Sequence, residues 1–409
     1  MGLLFSSHCW AGQSPISITL ESGKTGQRIN DWGYDIKEGG AAEALTPEYA
    51  RELFVDDRMT CLRIPIYGDE PHPAHPASGK IVESYYAPII SAVGNVRAVL
   101  PNVVIFASKK SERRRTFPKW VLHDGAVAPG PYAELLADYL RFMQVHGITI
   151  DVLGIDNEME LNHGKISPQC QEAIMDRLER LSAQLDFSLP RHFIGPDSYR
   201  PRPEWVREML QLPGDDRLDM VGTHYYPEHR PMADLERLVS AGKGRPTWLT
   251  ELHWPGKMAH GDTLVEGQRM LATVFDATDA GVSGFVWWGY QRAGLEGAIE
   301  QAVTRSLVGT SPMAIFADKG TEGLTVRAFR SDGGIVLWII NDLPVKDPAP
   351  LDFRLDRGRF SGGVEASQWK ESGQSAISSA TAYGGTVTVP ISAQKSLTEV
   401  LIPYKEREF

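Results

Sequence analysis

The chain has 409 residues, of which 42% are hydrophobic and 23% charged, more apolar material than one ordinary core organises, so a large domain with a smaller companion is expected. A net charge of −10 leaves no global basic excess to displace counterions, which excludes a general nucleic-acid binder. No apolar stretch approaches the ~20 residues of a membrane span. Cys9, Cys61 and Cys170 are too few and too widely spaced for a disulfide framework or a CxxC site.

In chain order, MGLLFSSHCWAGQ lacks a basic leading region and reads poorly as a complete signal peptide. PISITLES (15–22) alternates apolar and polar residues and is expected to donate a strand to a domain formed later in the chain. From residue 28 to about 290, short apolar runs alternate with segments of helical periodicity, the pattern of a parallel sheet covered by helices. Eight runs are found: 29–35, 59–66, 103–108, 151–158, 191–198, 220–226, 247–254 and 284–290. Eight such strands predict a closed (β/α)8 TIM barrel, an α/β fold. Thr46 before Pro47 and Ser167 before Pro168 are helix starts, and Gly147 is a helix stop. After residue 305 the texture changes: LTVRAFRSDGGIVLWIIND reads as two strands joined at Asp332-Gly333-Gly334, with further strands in TVTVPIS and LTEVLIPY. The expected organisation is an N-terminal segment (1–27) contributing to a β-sandwich, a barrel (28–305) and the C-terminal β-sandwich (306–409). No internal repeat is evident.

In a barrel of this type the working residues close the C-terminal ends of the strands. Glu158, in GIDNEME, closes the fourth run, and Glu251, in TWLTELHW, closes the seventh. Strands four and seven face each other across the barrel mouth, so two inward glutamates can meet. Retaining glycoside hydrolysis needs two carboxyl groups about 5–5.5 Å apart, one as acid/base and one as nucleophile. Two neighbouring carboxylates disfavour joint ionisation, which keeps a proton on one of them. Asp156 and Glu160 rank below Glu158 as structural or solvated groups.

With these residues in place the sequence resembles the clan A glycoside hydrolases, and most closely glycoside hydrolase family 30, over nearly its whole length. The resemblance implies a barrel plus a β-sandwich that takes an N-terminal strand. It implies an acid/base at Glu158 within the pair Asn157-Glu158, a nucleophile at Glu251, a supporting Arg63 in the second strand, and His224 and Tyr226 as the His-x-Tyr of the sixth. Two departures are evident: Met159 follows Glu158 where the family commonly has proline, and SKKSERRRTFPKW replaces the aromatic, proline-rich third loop.

Other candidates follow from chemistry. Arg63 lies among apolar neighbours, so a carboxylate partner is required, with Glu251 the candidate. Asn157, beside the acid, can hydrogen-bond a sugar 2-hydroxyl. Trp287 or Trp288 offers an aromatic face to a sugar ring. The stretch 109–119 carries Lys109, Lys110, Arg113, Arg114, Arg115 and Lys119 against the single acid Glu112, a basic island suited to an acidic sugar. Arg292, in VWWGYQR, matches by resemblance the arginine with which the family's glucuronoxylanases contact a uronic acid branch.

The expected function is a retaining β-glycoside hydrolase, endo-acting on an acidic polysaccharide such as glucuronoxylan or bacterial exopolysaccharide. This chemistry requires no cofactor and no metal. The expected partner is the polysaccharide, without nucleic acid or a membrane span; location outside the cytoplasm or in the periplasm follows from the substrate alone. Alternatives are exo action on neutral oligosaccharides and a non-catalytic carbohydrate-binding barrel. A metal-dependent hydrolase using His163, His224, His253 or His260 is a third, though no HxH or HExxH spacing is present.

Overall fold

The computed structural model describes residues 14–37, 40–69, 72–110, 117–158, 166–213, 217–226, 232–255, 262–318, 321–342, 349–357, 359–360, 363–377, 380–383 and 385–405. Strand β1 (Ile16–Thr25) opens the chain, followed by the first barrel strand, β2 (Asp31–Asp35). Helix α1 (Ala41–Ala44) and helix α2 (Pro47–Arg51), which runs on into a wider turn over Glu52–Asp56, lead to β3 (Cys61–Ile66). Helix α3 (Ala87–Val99) leads to β4 (Val104–Lys109); a small hairpin, β5 (Leu122–His123) and β6 (Ala126–Val127), precedes α4 (Pro129–Val145) and β7 (Val152–Gly154). The units α5 (Pro168–Leu185) with β8 (His192–Ser198), α6 (Pro203–Met209) with β9 (Met220–His224), α7 (Met232–Ala241) with β10 (Thr247–Leu252) and α8 (Leu264–Ala280) with β11 (Gly284–Trp287) complete the set before α9 (Gly294–Leu307).

Strands β2, β3, β4, β7, β8, β9, β10 and β11 close into one parallel barrel, β11 pairing with β2. All eight predicted runs contribute a strand. The helix starts behave as their chemistry dictates: the Thr46 and Ser167 side chains accept from the backbone N–H of Tyr49 and Cys170, each with proline in the first turn. Thr263 and Glu266 form a reciprocal capping box on α8.

Two layers fill the barrel. The floor is apolar, built from Cys61, Phe106, Val152, Ile194, Met220, Trp248 and Val286. Gly284 makes the floor possible, because a β-carbon there would stand 2.4 Å from the Trp248 indole nitrogen. One pleat higher, the same inward columns carry Arg63 above Cys61 and Ser108 above Phe106. That upper layer is polar yet buried.

The second sheet comprises β1 with β12 (Ser311–Ala317), β13 (Leu324–Arg330), β14 (Gly334–Asn341), β15 (Leu351–Leu355), β16 (Arg359–Phe360), β17 (Glu365–Lys370), β18 (Gly373–Ala376), β19 (Thr381–Tyr383), β20 (Thr386–Val389) and β21 (Ser396–Lys405). The main path is β18-β17-β21-β14-β13-β12-β1-β15-β20-β19. Its strands share one apolar cluster that includes Ile18, Leu20, Leu337, Phe353, Val387 and Val400. As the alternation at 15–22 predicts, β1 lies inside this sheet, antiparallel to β12 and parallel to β15. The opposite face packs on the barrel helices: Trp338 and Trp369 stack at 5.5 Å, and the Trp338 indole donates to Ser306 on α9. Among the described residues no helix is long and apolar enough to cross a membrane. Cys61 and Cys170 are free thiols, and Cys9 lies outside the described residues.

Candidate active site

The upper layer of the barrel gathers charge around Arg63, whose side chain is fully buried. Its Nη1 donates to Glu251 Oε1 at 2.6 Å, to Asp35 Oδ2 at 3.0 Å and to the Thr250 carbonyl at 2.9 Å. Its Nη2 donates to Asn157 Oδ1 at 2.6 Å and Asp197 Oδ2 at 2.7 Å, and its Nε to Ser108 Oγ at 3.1 Å. The carboxylate partner demanded by an arginine in an apolar strand is therefore threefold, and includes Glu251. A guanidinium fork suits this task because its donors are rigid and coplanar.

Two irregularities in the sheet turn acids inward. Strict alternation from Trp248 would send Thr250 inward and Glu251 outward. The β9–β10 register slips between Leu249 and Glu251, so that Glu251 comes level with His224. The β8–β9 register slips likewise between Pro196 and Ser198, and Asp197, at φ 51°, points to Arg63 and Thr250. Glu158 follows β7 with φ 53°, its backbone N–H bonded to the Asp197 carbonyl at 2.9 Å.

His224 bridges the two glutamates. Its Nδ1 is 3.5 Å from Glu158 Oε1 and 3.3 Å from Glu251 Oε2, while Nε2 is 3.5 Å from Asp197 Oδ1. One oxygen of Glu158, one of Glu251 and a nitrogen of His224 all lie within 4.8 Å of one another. Tyr226 donates its hydroxyl proton to Glu251 Oε2 at 2.7 Å and stands 3.1 Å from His224 Nδ1. Lys37, two residues beyond β2, places Nζ 3.0 Å from Glu251 Oε1 and 2.9 Å from Asn157 Oδ1.

The electrostatics follow from this packing. Burial works against charge on Glu251, but His224, Lys37 and Arg63 outweigh it and hold the carboxyl well below its ordinary range. Burial likewise opposes charge on His224, yet Glu251, Asp197 and Glu158 lift it to about 9. Asp197, despite burial, is held down to about 2 by Arg63 and His224. Burial pushes Asp35 up, against Lys37 and Arg63. With its oxygen given to two cations, Asn157 turns its amide nitrogen the other way, a choice of flip fixed by the donors around it.

Glu158, His224 and Glu251 form a donor set that could receive a divalent cation. Loading one requires stripping Tyr226 and the cations from Glu251 and removing the proton that its acidic neighbours hold on His224. His253, another candidate ligand, packs tilted against Tyr226 with ring centroids 4.5 Å apart and bonds the Trp254 carbonyl; His163 and His260 lie outside the described residues.

Several residues singled out from sequence do not join this cluster. Trp287 is fully buried, donates to Thr304 on α9 and packs against Trp32, because its place in β11 points it to the helical layer. Trp288, the next residue, is the half-buried one; it continues a ring of aromatics, Tyr199–Tyr226–His253–Trp288, along the mouth. Arg292 lies outside the barrel wall, paired with Glu52 at 2.8 Å and Asp57 at 3.5 Å, since the chain folds back along α9 after β11. Lys109 is fully buried beneath Phe117 and bonds the Lys110 carbonyl, one pleat out of phase with the inward Ser108. Asp156 is buried and accepts from the Asn157 backbone N–H, a structural place. Arg113, Arg114, Arg115 and Glu160 lie outside the described residues.

Sequence reasoning passed over Asp35, Lys37, Ser108, Asp197 and Thr250. Asp35, Ser108 and Asp197 end or nearly end their predicted runs, so the rule that strand-closing polar residues matter would have found them. Lys37 lies beyond any strand and carried no signal.

No family model matches the chain. The curated glucuronoxylanase XynC of Bacillus subtilis (strain 168) is 24% identical over 165 residues, 40% of this chain and 38% of that protein. A second Bacillus subtilis glucuronoxylanase XynC is 24% identical over 223 residues, 51% of this chain and 52% of its own length. The chain thus spans about two fifths to half the length of the curated relatives it matches. Among solved structures, a GH30 endoxylanase from Clostridium papyrosolvens C71 superposes with a TM-score of 0.72 at 17% identity, covering 95% of this chain and 100% of that one. The family 30 subfamily 8 xylanase Xyn30A from Clostridium acetobutylicum gives 0.70 at 16% identity, covering 95% and 99%. The barrel with its attached sheet is therefore the fold of these GH30 enzymes.

Proposed function

We propose that the chain is a retaining β-glycoside hydrolase in which Glu251 is the nucleophile and Glu158 the acid/base. The observation that carries this reading is the approach of the two carboxylates around His224, oxygens within 4.8 Å of one another, which fits the short separation of retaining rather than inverting enzymes. Glu251, ionised and gripped by fixed donors, is suited to attack. Glu158, with 17% of its side chain exposed against 7% for Glu251, is the one that water and a leaving group can reach.

In the first half-reaction a carboxylate oxygen of Glu251 bonds the anomeric carbon while the glycosidic oxygen leaves with the Glu158 proton. In the second, water attacks that carbon, gives its proton to Glu158 and returns the bonding pair to Glu251. On this reading the Asn157 amide nitrogen meets the sugar 2-hydroxyl, and Trp288 with Tyr199 offers aromatic surface to neighbouring sugars.

The likeness to glucuronoxylanases and endoxylanases supports a β-linked xylan as substrate, cleaved internally, which in turn supports action outside the cytoplasm. Recognition of a uronate branch rests on the stretch around Arg113, since Lys109 and Arg292 are engaged elsewhere. The test combines product analysis with rescue. Glucuronoxylan and neutral xylan should give oligosaccharides whose new reducing ends are first released as the β-anomer; α-anomers, or monomers only, refute retention or endo action respectively. Glu158→Gln should lose ~10²–10⁴ in turnover, and Glu251→Gln at least as much. Azide added to the Ala variants should yield the β-glycosyl azide from Glu158→Ala and the α-glycosyl azide from Glu251→Ala, and the reverse outcome exchanges the two roles.

A further inference from the structure

Two cations converge on a single oxygen of the proposed nucleophile. Arg63 Nη1 is 2.6 Å and Lys37 Nζ 3.0 Å from Glu251 Oε1. Arg63 also serves Asp35 and Asp197, so its charge is shared among three carboxylates. Lys37 is 3.8 Å from Asp35 and otherwise bonds only neutral atoms of this cluster, Asn157 Oδ1 at 2.9 Å and Ser108 Oγ at 3.4 Å. Its side chain is 3% exposed. The backbone fixes it too: Lys37 N–H donates to Asp35 Oδ1 at 2.6 Å, while the other oxygen of Asp35 holds Arg63.

The other oxygen of Glu251, Oε2, lies on the Glu158 side, against Tyr226 and His224. A sugar held between the glutamates bonds to Oε2, leaving Oε1 as the carbonyl oxygen of the glycosyl ester with both cations still attached. We propose that Lys37 is a positioning residue that acts through Glu251 to favour the second half-reaction, release of the sugar from the enzyme, over the first.

The effect is electrostatic and rests on the retaining mechanism above. Negative charge leaves Glu251 as the ester forms and returns as it breaks: water attacks the anomeric carbon, the bond from that carbon to Oε2 breaks, its electron pair goes to the carboxylate, and the water proton goes to Glu158. A fixed cation beside Oε1 is preorganised for the returning charge and costs no rearrangement at that moment. It opposes the first step by the same interaction. In a buried site this interaction is far less screened than in water.

The test uses Lys37→Met and Lys37→Arg in the full chain with 2,4-dinitrophenyl β-xylobioside, whose leaving group needs little protonation, so that breakdown of the ester limits kcat. Lys37→Met should lower kcat about tenfold or more while kcat/KM, which reports the first step, changes less than about threefold. A burst of dinitrophenolate and a glycosyl-enzyme mass should appear. Lys37→Arg, which keeps the charge, should retain most of the kcat and tests the idea even where the Met variant folds poorly. Equal loss in kcat and kcat/KM without a burst, or an Arg variant as slow as the Met variant, overturns the role of Lys37 alone. A wild-type chain that cleaves neither this glycoside nor xylan overturns the hydrolase reading and this proposal together.

Discussion

Glu251 and Glu158 meet at one histidine from surroundings that differ in almost every respect. Glu251 lies next to last in a bulged strand, both oxygens taken by donors on β3, on β9 and its following loop, and just beyond β2. Glu158 sits past the end of a three-residue strand in the left-handed region, more exposed, fixed at its backbone by Asp197. The difference teaches how one fold gives two like groups different surroundings, as the proposed roles require: the carboxyl proposed to stay charged is surrounded by cations whose positions other acids fix, and the one proposed to trade protons is left nearer solvent.

The largest disturbance of this contrast is Arg63→Ala. It strands Asp35, Asp197 and Glu251 in a buried layer at once, and breaking a buried ion pair costs ~3–5 kcal/mol. Urea denaturation should show a loss of at least that size, together with abolished activity. A variant as stable as the wild type would mean that the acids are not bound as described.

Next in size is the pH dependence carried by His224. Its folded-state pKa of about 9 lies above the ~6.5 of an unfolded histidine, so the folded state holds this proton more tightly. The resulting stabilisation, on the order of 3 kcal/mol, is fully present below pH ~6.5 and is lost as pH rises through about 9. Unfolding free energies measured across that window should fall for the wild type and flatten in His224→Gln. An equal decline in both would remove His224 as the bridge between the glutamates.

The smallest effect is expected outside the pair altogether. Arg292→Gln removes an ion pair to the exposed Glu52 and a longer one to the buried Asp57, so stability should fall by ~1–2 kcal/mol while hydrolysis of glucuronoxylan should be unaltered. A selective loss on the uronate-bearing substrate would instead return Arg292 to the cleft.

The barrel was legible because its strands are buried on both faces and therefore read as apolar runs, each separated by helical periodicity and punctuated by Thr-Pro, Ser-Pro and glycine signals. Glu158 and Glu251 could be named because strand order puts their ends at one mouth, whereas Arg63, His224 and Tyr226 were pointed to by the resemblance to family 30. Alternation fails where a strand bulges: by pleat alone Asp197 faces outward, and its place beside Arg63 depends on the slip before Ser198. Trp287 and Trp288 are indistinguishable as letters, and only the register of β11 assigns one to the helices and the other to the mouth. Charge points to Lys109 and the family resemblance to Arg292 as anion receptors, but the chain path turns one beneath Phe117 and pairs the other with Glu52 and Asp57. Lys37 is an isolated lysine after a strand, and nothing but the closed barrel brings it to residues 157 and 251.

Strand β1 is made before the barrel yet occupies an inner position of the second sheet, between β12 and β15, strands that emerge from the ribosome some 300 residues later. The nascent segment must therefore wait, unpaired, while the whole barrel is synthesised. An expression clone trimmed to start at the barrel would open a gap in the middle of the sheet and bare the edges of β12 and β15, inviting aggregation.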